Sequence, residues 1–203
     1  MYGKAGYGKT ILSSTVIEDM RSTCETDVDT SHAFFYFSFS DEHKQSDSDL
    51  LRSLIAQLGW RELALSMLRY AYASPGQSVP GPDELEKILL ASMSSCSIVY
   101  LIVDALDECS EDYDARQRVL ESIERLTHDL SNLNIFATSR ELPVIREYME
   151  ALGSKPLRIA TSFANDIQFW IANRLLSDRG FRRFGTATLD LIESTIAKKA
   201  DGM

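Results

Sequence analysis

The feature that most constrains this chain of 203 residues is a glycine-rich segment at its start. Residues 3–10 read GKAGYGKT, a full match to the pattern G-x-x-x-x-G-K-[ST], and a helical pattern begins at once with Ile11. Glycines let successive backbone N–H groups curl around an anion, and a helix start adds partial positive charge. The segment therefore predicts a phosphate-binding turn that leads into a helix.

Within this segment the two polar side chains at its end have distinct predicted roles. The Lys9 ammonium offers a point charge to the outer phosphates of a nucleotide, and the Thr10 hydroxyl is a candidate ligand of Mg²⁺. The whole predicted nucleotide-binding set is Gly3, Lys4, Ala5, Gly6, Tyr7, Gly8, Lys9 and Thr10.

An acidic cluster follows the most strand-like run of the sequence. Residues 98–103 read IVYLIV, the pattern of a buried strand, and Asp104 stands at its carboxyl end. An acid at this position is expected to hold Mg²⁺ through water, so Asp104 is predicted as a metal-site residue with Thr10. Asp107 and Glu108 are predicted to orient or deprotonate an attacking water. The alternative is a loop of solvated acids that closes a strand.

A third candidate is Arg140, which follows the short strand pattern that ends at Thr138. The strand end should lie on the same edge of the sheet as Asp104, so Arg140 is predicted to sense or neutralise a terminal phosphate. An exposed arginine at a strand end is the competing interpretation. Ser139 lacks the flanking glycines of a nucleophile elbow.

Apolar runs of strand length alternate with segments of helical period, which predicts an α/β fold with a mostly parallel sheet between helix layers. The predicted strands are 33–39, 98–103, 134–138 and 157–160. Helical stripes are predicted through Leu12, Val16 and Met20; through Leu50, Leu51, Leu54, Ile55 and Leu58; through Val119, Ile123, Leu126 and Leu130; and through Ile145, Tyr148, Met149 and Leu152.

The Pro/Gly-rich stretch 74–82 predicts a loop before a helix that begins near Asp83. After Ser162 the strand patterns stop and two helical patterns follow, one around Trp170 and one around Ile192. We therefore predict a core over residues 1–162 and the start of a helical lid subdomain over 163–203. The segment 179–185, RGFRRFG, is either a solvated connection or a patch for an acidic partner.

The net charge of −9 argues against a nucleic-acid groove, because phosphate backbones are bound by basic faces. A protein partner is the favoured alternative. No apolar run approaches the ~20 residues that span a bilayer, so no membrane association is expected and a cytoplasmic location is predicted.

Taken together, GKAGYGKT, LIVDALDE and FATSR resemble the NACHT-type members of the signal-transducing P-loop NTPases, the STAND class. The resemblance is to the fungal members related to the N-terminal P-loop region of nephrocystins, and it spans nearly the whole chain. In that family the second motif is an apolar run, Asp, a small residue, an apolar residue and two acids. Residues 104–108, DALDE, satisfy it letter by letter.

The resemblance implies a switch that binds ATP, or GTP, with Mg²⁺, hydrolyses it slowly and self-associates in the triphosphate state. The absence of a guanine-reading N-K-x-D motif favours ATP. The family resemblance also implies a strand ahead of the glycine-rich segment, but only Met1 and Tyr2 precede Gly3. The chain is therefore expected to be a fragment without effector and repeat regions, with low stability and weakened nucleotide retention.

Two alternatives stay open at this point. A small-molecule kinase would need an acceptor site and an arginine-rich lid, for which only Arg179–Arg183 is available. A truncated product that binds nothing would fit the short segment before Gly3.

Overall fold

The computed structural model describes residues 1–72, 79–110, 112–159, 163–181 and 183–200. The chain forms two compact units. The first comprises Met1–Tyr2 and Gly8–Leu157, and the second comprises Gly3–Tyr7 and Arg158–Met203. The predicted division at residue 162 stays a prediction.

The first unit is built on a parallel sheet of three strands in the order β1-β2-β3. Strand β1 covers Thr30–Tyr36, β2 covers Ile98–Asp104 and β3 covers Leu133–Ala137. Tyr36 pairs with Asp104, and Val103 pairs with Ala137. The three strands therefore end at one edge, and the acidic residues after β2 lie at that edge.

Helices connect the strands, as expected for parallel pairing. The first unit contains α1 (Lys9–Thr26), α2 (Asp47–Leu58), α3 (Glu62–Tyr72), α4 (Pro82–Met93), α5 (Tyr113–Asp129) and α6 (Pro143–Ala151). Short 3₁₀ turns cover Glu42–Lys44 and Leu106–Glu108. The predicted α/β class with a parallel sheet is confirmed.

The sheet has helices on both faces because its side chains alternate. On one face Phe35 and Leu101 join the main core, whose buried residues come largely from α2, α4 and α5. On the other face Ile102 and Asp104 lie on the side where α1 packs against β1 and β2. Helix α1 thus brings the end of the glycine-rich segment to Asp104.

The edge strand β1 is closed by a side chain of α2. Gln57 accepts a hydrogen bond from Phe34 N at 3.0 Å and donates one to Phe34 O at 2.8 Å. The amide of Gln57 thereby replaces a neighbouring strand, which leaves this part of the edge unavailable for pairing with another chain. Helix α2 itself begins with a capping box between Ser46 and Asp49.

Beyond β3 the first two residues of the chain continue the parallel arrangement. Tyr2 forms a parallel bridge with Ser139, and its N–H donates to Leu157 O at 2.9 Å. Ser139 N donates to Met1 O at 3.1 Å. The segment that leads into Gly3 therefore runs beside the end of β3.

Several predicted elements differ from the structure. Strand β1 begins three residues earlier than predicted, and Phe39 is 66% exposed. Helix α3 was not predicted. In the described part of 157–160 the structure has one bridged residue, Arg158, and no strand, so that prediction was wrong; Ala160 lies outside the described residues. Residues 74–78 of the predicted loop lie outside them too.

The stripe predicted for α1 was also wrong by one position. Leu12 is 41% exposed, whereas Ser13 and Ile17 are buried. The face with Ser13 and Ile17 is the buried one, and Ser13 binds Asp104 there. Because Ser13 is polar, a pattern of apolar residues could not identify this face.

The second unit contains α7 (Phe163–Ser177) and α8 (Thr186–Ala200), which pack against each other. Ile171 and Leu175 are buried, and both predicted helical patterns are confirmed. In the described part of the basic segment 179–185, the Arg183 guanidinium lies 5.1 Å from the ring of Phe184. Arg182 lies outside the described residues.

Candidate functional site

Helix α1 starts at a glycine whose backbone conformation other residues rarely adopt. Gly8 has φ 73° and ψ 16°, the left-handed region, and its carbonyl accepts the N–H of Leu12 at 3.0 Å. A Cβ at Gly8 would contact nothing within 4 Å, so the requirement for glycine is conformational. This turn places Lys9 and Thr10 in the first turn of the helix.

The preceding residues Gly3–Tyr7 form a turn of their own. Tyr7 N donates to Lys4 O at 3.4 Å, and Gly6 has φ 81°, again in the left-handed region. A glycine with positive φ in a short turn is a backbone conformation expected of an anion-binding nest.

Asp104 is the centre of a hydroxyl cluster at the end of β2. It is 2% exposed, and three hydroxyl groups donate to its carboxylate. Thr10 Oγ1 donates to Oδ2 at 2.7 Å, while Ser13 Oγ at 2.5 Å and Thr138 Oγ1 at 2.6 Å donate to Oδ1. The three hydroxyls come from α1 and from the residue after β3, so two elements hold this carboxylate.

Thr138 also fixes the backbone that follows Asp104. Its hydroxyl accepts the N–H of Ala105 at 3.0 Å, and its carbonyl accepts the N–H of Leu106 at 2.9 Å. Ala105 has φ 55° and ψ 45°, and it is the one residue other than glycine with positive φ in the described ranges. Ala105 is thus a left-handed residue between Asp104 and the 3₁₀ turn that contains Asp107.

Asp107 and Arg140 form the second polar contact of this edge. Arg140 Nε lies 3.0 Å from Asp107 Oδ2, and Arg140 N donates to Asp107 Oδ1 at 2.8 Å. The Asp107 side chain is 5% exposed, whereas that of Glu108 is 27% exposed and lies 4.0 Å from Arg140 Nη2. Of the two acids predicted to act on water, Glu108 is the more accessible.

Lys9 lies in the field of all these charges. Burial lowers the pKa of Lys9 from its ordinary value; Asp107, Asp104 and Glu108 raise it, and Arg140 lowers it. The lysine, both aspartates, the glutamate and the arginine therefore share one end of the sheet. The structure brings together the predicted residues Lys9, Thr10, Asp104, Asp107, Glu108 and Arg140 within the first unit.

The donor atoms suit a hard divalent cation. Thr10 and Asp104 supply a hydroxyl oxygen and a carboxylate, and Mg²⁺ in nucleotide sites is held by one or two protein oxygens, phosphate oxygens and waters. In the described part of the chain no group of three or more His, Cys, Asp or Glu could hold a metal. The Thr10 hydroxyl and the Asp104 carboxylate therefore fit the protein ligands expected of a nucleotide-bound Mg²⁺.

Ser13 is the residue of this cluster that sequence reasoning missed. It has no exposed surface, and its hydroxyl is bound to Asp104. The available signal was its position, three residues after Thr10 and therefore on the same helix face.

A cavity of about 410 Å³ lies beside β3 and α6. Its lining includes Tyr2, Ile135, Arg140 and Met149, but neither Thr10 nor Asp104. It therefore adjoins the polar cluster through Thr138 and Arg140 but does not include the Thr10–Asp104 contact.

A parallel sheet with helices on both faces, and a glycine-led helix start beside an aspartate at the strand ends, is the architecture of a P-loop NTPase-like domain. The family model described as "Nephrocystin 3, N-terminal" matches residues 1–140. The chain belongs to this family, which confirms the NACHT and nephrocystin-like resemblance of its motifs. Membership indicates a nucleotide-binding signalling module.

The chain is also similar to a fungal protein, the "Vegetative incompatibility protein HET-E-1" of Podospora anserina. The two are 29% identical over 184 residues, which is 85% of this chain and 13% of the relative. The chain thus spans a small part of that protein's length. Among the described residues, no helix is long and apolar enough to cross a membrane.

Proposed function

We propose that this domain binds ATP with Mg²⁺, hydrolyses it slowly and uses the change of nucleotide to control self-association. The observation that carries the proposal is the Thr10–Asp104 hydrogen bond of 2.7 Å. It joins the first turn of α1 to a buried acid at the end of β2, where phosphate and metal ligands are needed together.

In this proposal the backbone N–H groups of residues 3–8 bind the phosphates, and the Lys9 ammonium contacts the outer ones. Thr10 ligates Mg²⁺ directly and Asp104 holds it through water. The metal, when bound with the nucleotide, neutralises phosphate charge. Thr10 can donate its proton to Asp104 and still offer a lone pair, so the observed hydrogen bond is compatible with ligation.

For hydrolysis we assign Glu108, and not Asp107, as the group that orients and deprotonates water. Asp107 Oδ1 already accepts the backbone N–H of Arg140, and Oδ2 forms an ion pair with Arg140 Nε at 3.0 Å. Glu108 is more exposed and lies at the longer distance of 4.0 Å from that guanidinium. Asp107 then acts as a positioning residue that connects the loops after β2 and β3.

Arg140 is proposed to neutralise charge on the terminal phosphate. Its side chain is 50% exposed, and Nε is the atom closest to Asp107. A guanidinium has five N–H donors in a planar fork, so one contact to Asp107 leaves further donors for a phosphate.

ATP is proposed over GTP because the sequence has no N-K-x-D motif to read guanine. Self-association is proposed from family membership. The alternatives of a small-molecule kinase and of a chain that binds nothing are outcomes of the tests below.

The first test measures binding of a fluorescent ATP analogue to Lys9→Ala, with Lys44→Ala as the matched control. Lys44 is an exposed lysine whose partner is Asp41. We expect Lys9→Ala to weaken binding by about 100-fold, the loss of one or two charge-assisted contacts, and Lys44→Ala to bind like the wild type. Equal affinities of all three proteins, or no binding by any, would contradict nucleotide binding at this site.

The second test compares size-exclusion profiles of the protein with a non-hydrolysable ATP analogue and with ADP. Larger species only with the ATP analogue are expected of a switch. Identical profiles would count against it, and transfer of the γ-phosphate to a metabolite without release of free phosphate would favour a kinase.

A further inference from the structure

Ser13 is placed differently from the two hydroxyl residues that follow it in α1, Ser14 and Thr15. Ser14 and Thr15 are exposed, and their hydroxyls donate to Thr10 O at 2.9 Å and to Ile11 O at 3.1 Å within the same helix. The Ser14 hydroxyl also lies 3.4 Å from the Tyr36 hydroxyl, an exposed contact that does not involve Asp104. Ser13 instead is fully buried and donates to Asp104, a residue 91 positions away in the chain. A buried serine that bonds to a distant carboxylate contributes to the arrangement of that carboxylate.

The two oxygens of Asp104 are held in different ways. Oδ1 accepts two hydroxyls, from Ser13 on α1 and from Thr138 after β3. Oδ2 accepts the hydroxyl of Thr10, the predicted metal ligand. Side chains from two parts of the fold thus hold Oδ1, while Oδ2 faces Thr10.

We propose that Ser13 is a positioning residue for the metal side of the nucleotide site. With Thr138 it holds Oδ1, so that Oδ2 stays beside the Thr10 hydroxyl, where the Mg²⁺ of a bound nucleotide is held. This inference rests on the proposed function, because it concerns the same site.

The physical reason is that the terminal torsion of an aspartate is broad and needs partners to define it. Removal of the Ser13 hydroxyl leaves Oδ1 with Thr138 alone and lets the carboxylate plane rotate. Loss of a partner outside the metal's own ligands commonly lowers metal affinity by about 10- to 100-fold. The Ser13–Asp104 hydrogen bond is formed by neither the phosphate-binding backbone nor Lys9. We therefore expect the affinity for nucleotide without metal to stay unchanged.

The test measures the Mg²⁺ concentration at which half of the Mg²⁺-dependent gain in affinity for a fluorescent ATP analogue is reached. Ser13→Ala is compared with Ser14→Ala, a neighbouring hydroxyl of the same helix. We expect Ser13→Ala to raise this concentration by about 10-fold, at unchanged affinity in EDTA, and Ser14→Ala to match the wild type.

A second pair of variants tests Thr138, the other residue whose hydroxyl binds Asp104 Oδ1. Thr138→Val removes the second hydroxyl on Oδ1, and Thr138→Ser retains it. The Val variant should need more Mg²⁺ and the Ser variant should not. If Ser13→Ala unfolds, as judged by thermal melting, this pair decides by the same criterion.

The outcomes separate this inference from the proposed function. A wild type whose nucleotide binding ignores Mg²⁺ contradicts the function itself. A Mg²⁺-dependent wild type with Ser13→Ala equal to Ser14→Ala overturns the positioning role alone. Equal loss of affinity with Mg²⁺ and with EDTA would also overturn it, because that result indicates general damage to the site.

Discussion

The two aspartates on either side of the Ala105 turn are both buried, yet they have different partners. Asp104 is 2% exposed and accepts three neutral hydroxyls, whereas the Asp107 side chain is 5% exposed and is paired with the Arg140 guanidinium. In the proposed function the carboxylate held by hydroxyls serves the metal, whereas the one bound by Arg140 connects the loops after β2 and β3.

The largest expected effect concerns the acids after this turn. Because Glu108 is proposed to act on water and Asp107 is not, Glu108→Gln should lower the rate of phosphate release by about 10²- to 10⁴-fold. Asp107→Asn should lower it far less, provided the protein remains folded. Phosphate release under single-turnover conditions measures both; a larger loss in Asp107→Asn would reverse the assignment.

A smaller effect is expected from the partner of Asp107. Arg140→Ala removes the Nε contact but retains the backbone N–H that donates to Oδ1, so we expect about 1 kcal/mol of destabilisation in urea unfolding. Arg146→Ala is the control, since Arg146 is 44% exposed and its partners Glu141 and Glu150 are exposed too. It should change stability by less than about 0.5 kcal/mol. Equal effects would mean that the Asp107 pair is an ordinary surface contact.

An effect on stability of similar size is expected at the turn that separates the two aspartates. Ala105 has φ 55°, so Ala105→Gly should stabilise the protein by about 0.5–1 kcal/mol, and Ala105→Val should destabilise it by about 1–2 kcal/mol. The control, Ala91→Gly in the interior of α4, should have the opposite sign, a loss of about 1 kcal/mol. Destabilisation by Ala105→Gly would show that the left-handed turn is not strained.

The sequence allowed prediction of the parts whose signal is local. The apolar run before Asp104 predicted β2, and the glycine spacing predicted the turn before Lys9, because both depend on neighbouring residues. Membership of the nephrocystin-like family confirms the resemblance read from these motifs.

The parts that depend on packing were predicted less well. Ser13 has no apolar or charged signal, and its role follows only from the proximity of α1 to the end of β2. Residues 157–160 have a strand-like composition, but Leu157 contributes a single backbone hydrogen bond to Tyr2. Strand β1 begins at Thr30 and ends at Tyr36, before the aromatic run is complete, and these two residues pair with Ile98 and Asp104, the ends of β2.

The most direct test of the central claim is a Mg²⁺ titration of fluorescent ATP binding to Asp104→Asn and Asp107→Asn. Asn retains the shape of each side chain and removes its charge. The account predicts that Asp104→Asn binds the nucleotide with little dependence on Mg²⁺, while Asp107→Asn keeps the wild-type dependence. Wild-type Mg²⁺ dependence in Asp104→Asn would contradict the assignment of the buried, hydroxyl-held aspartate to the metal.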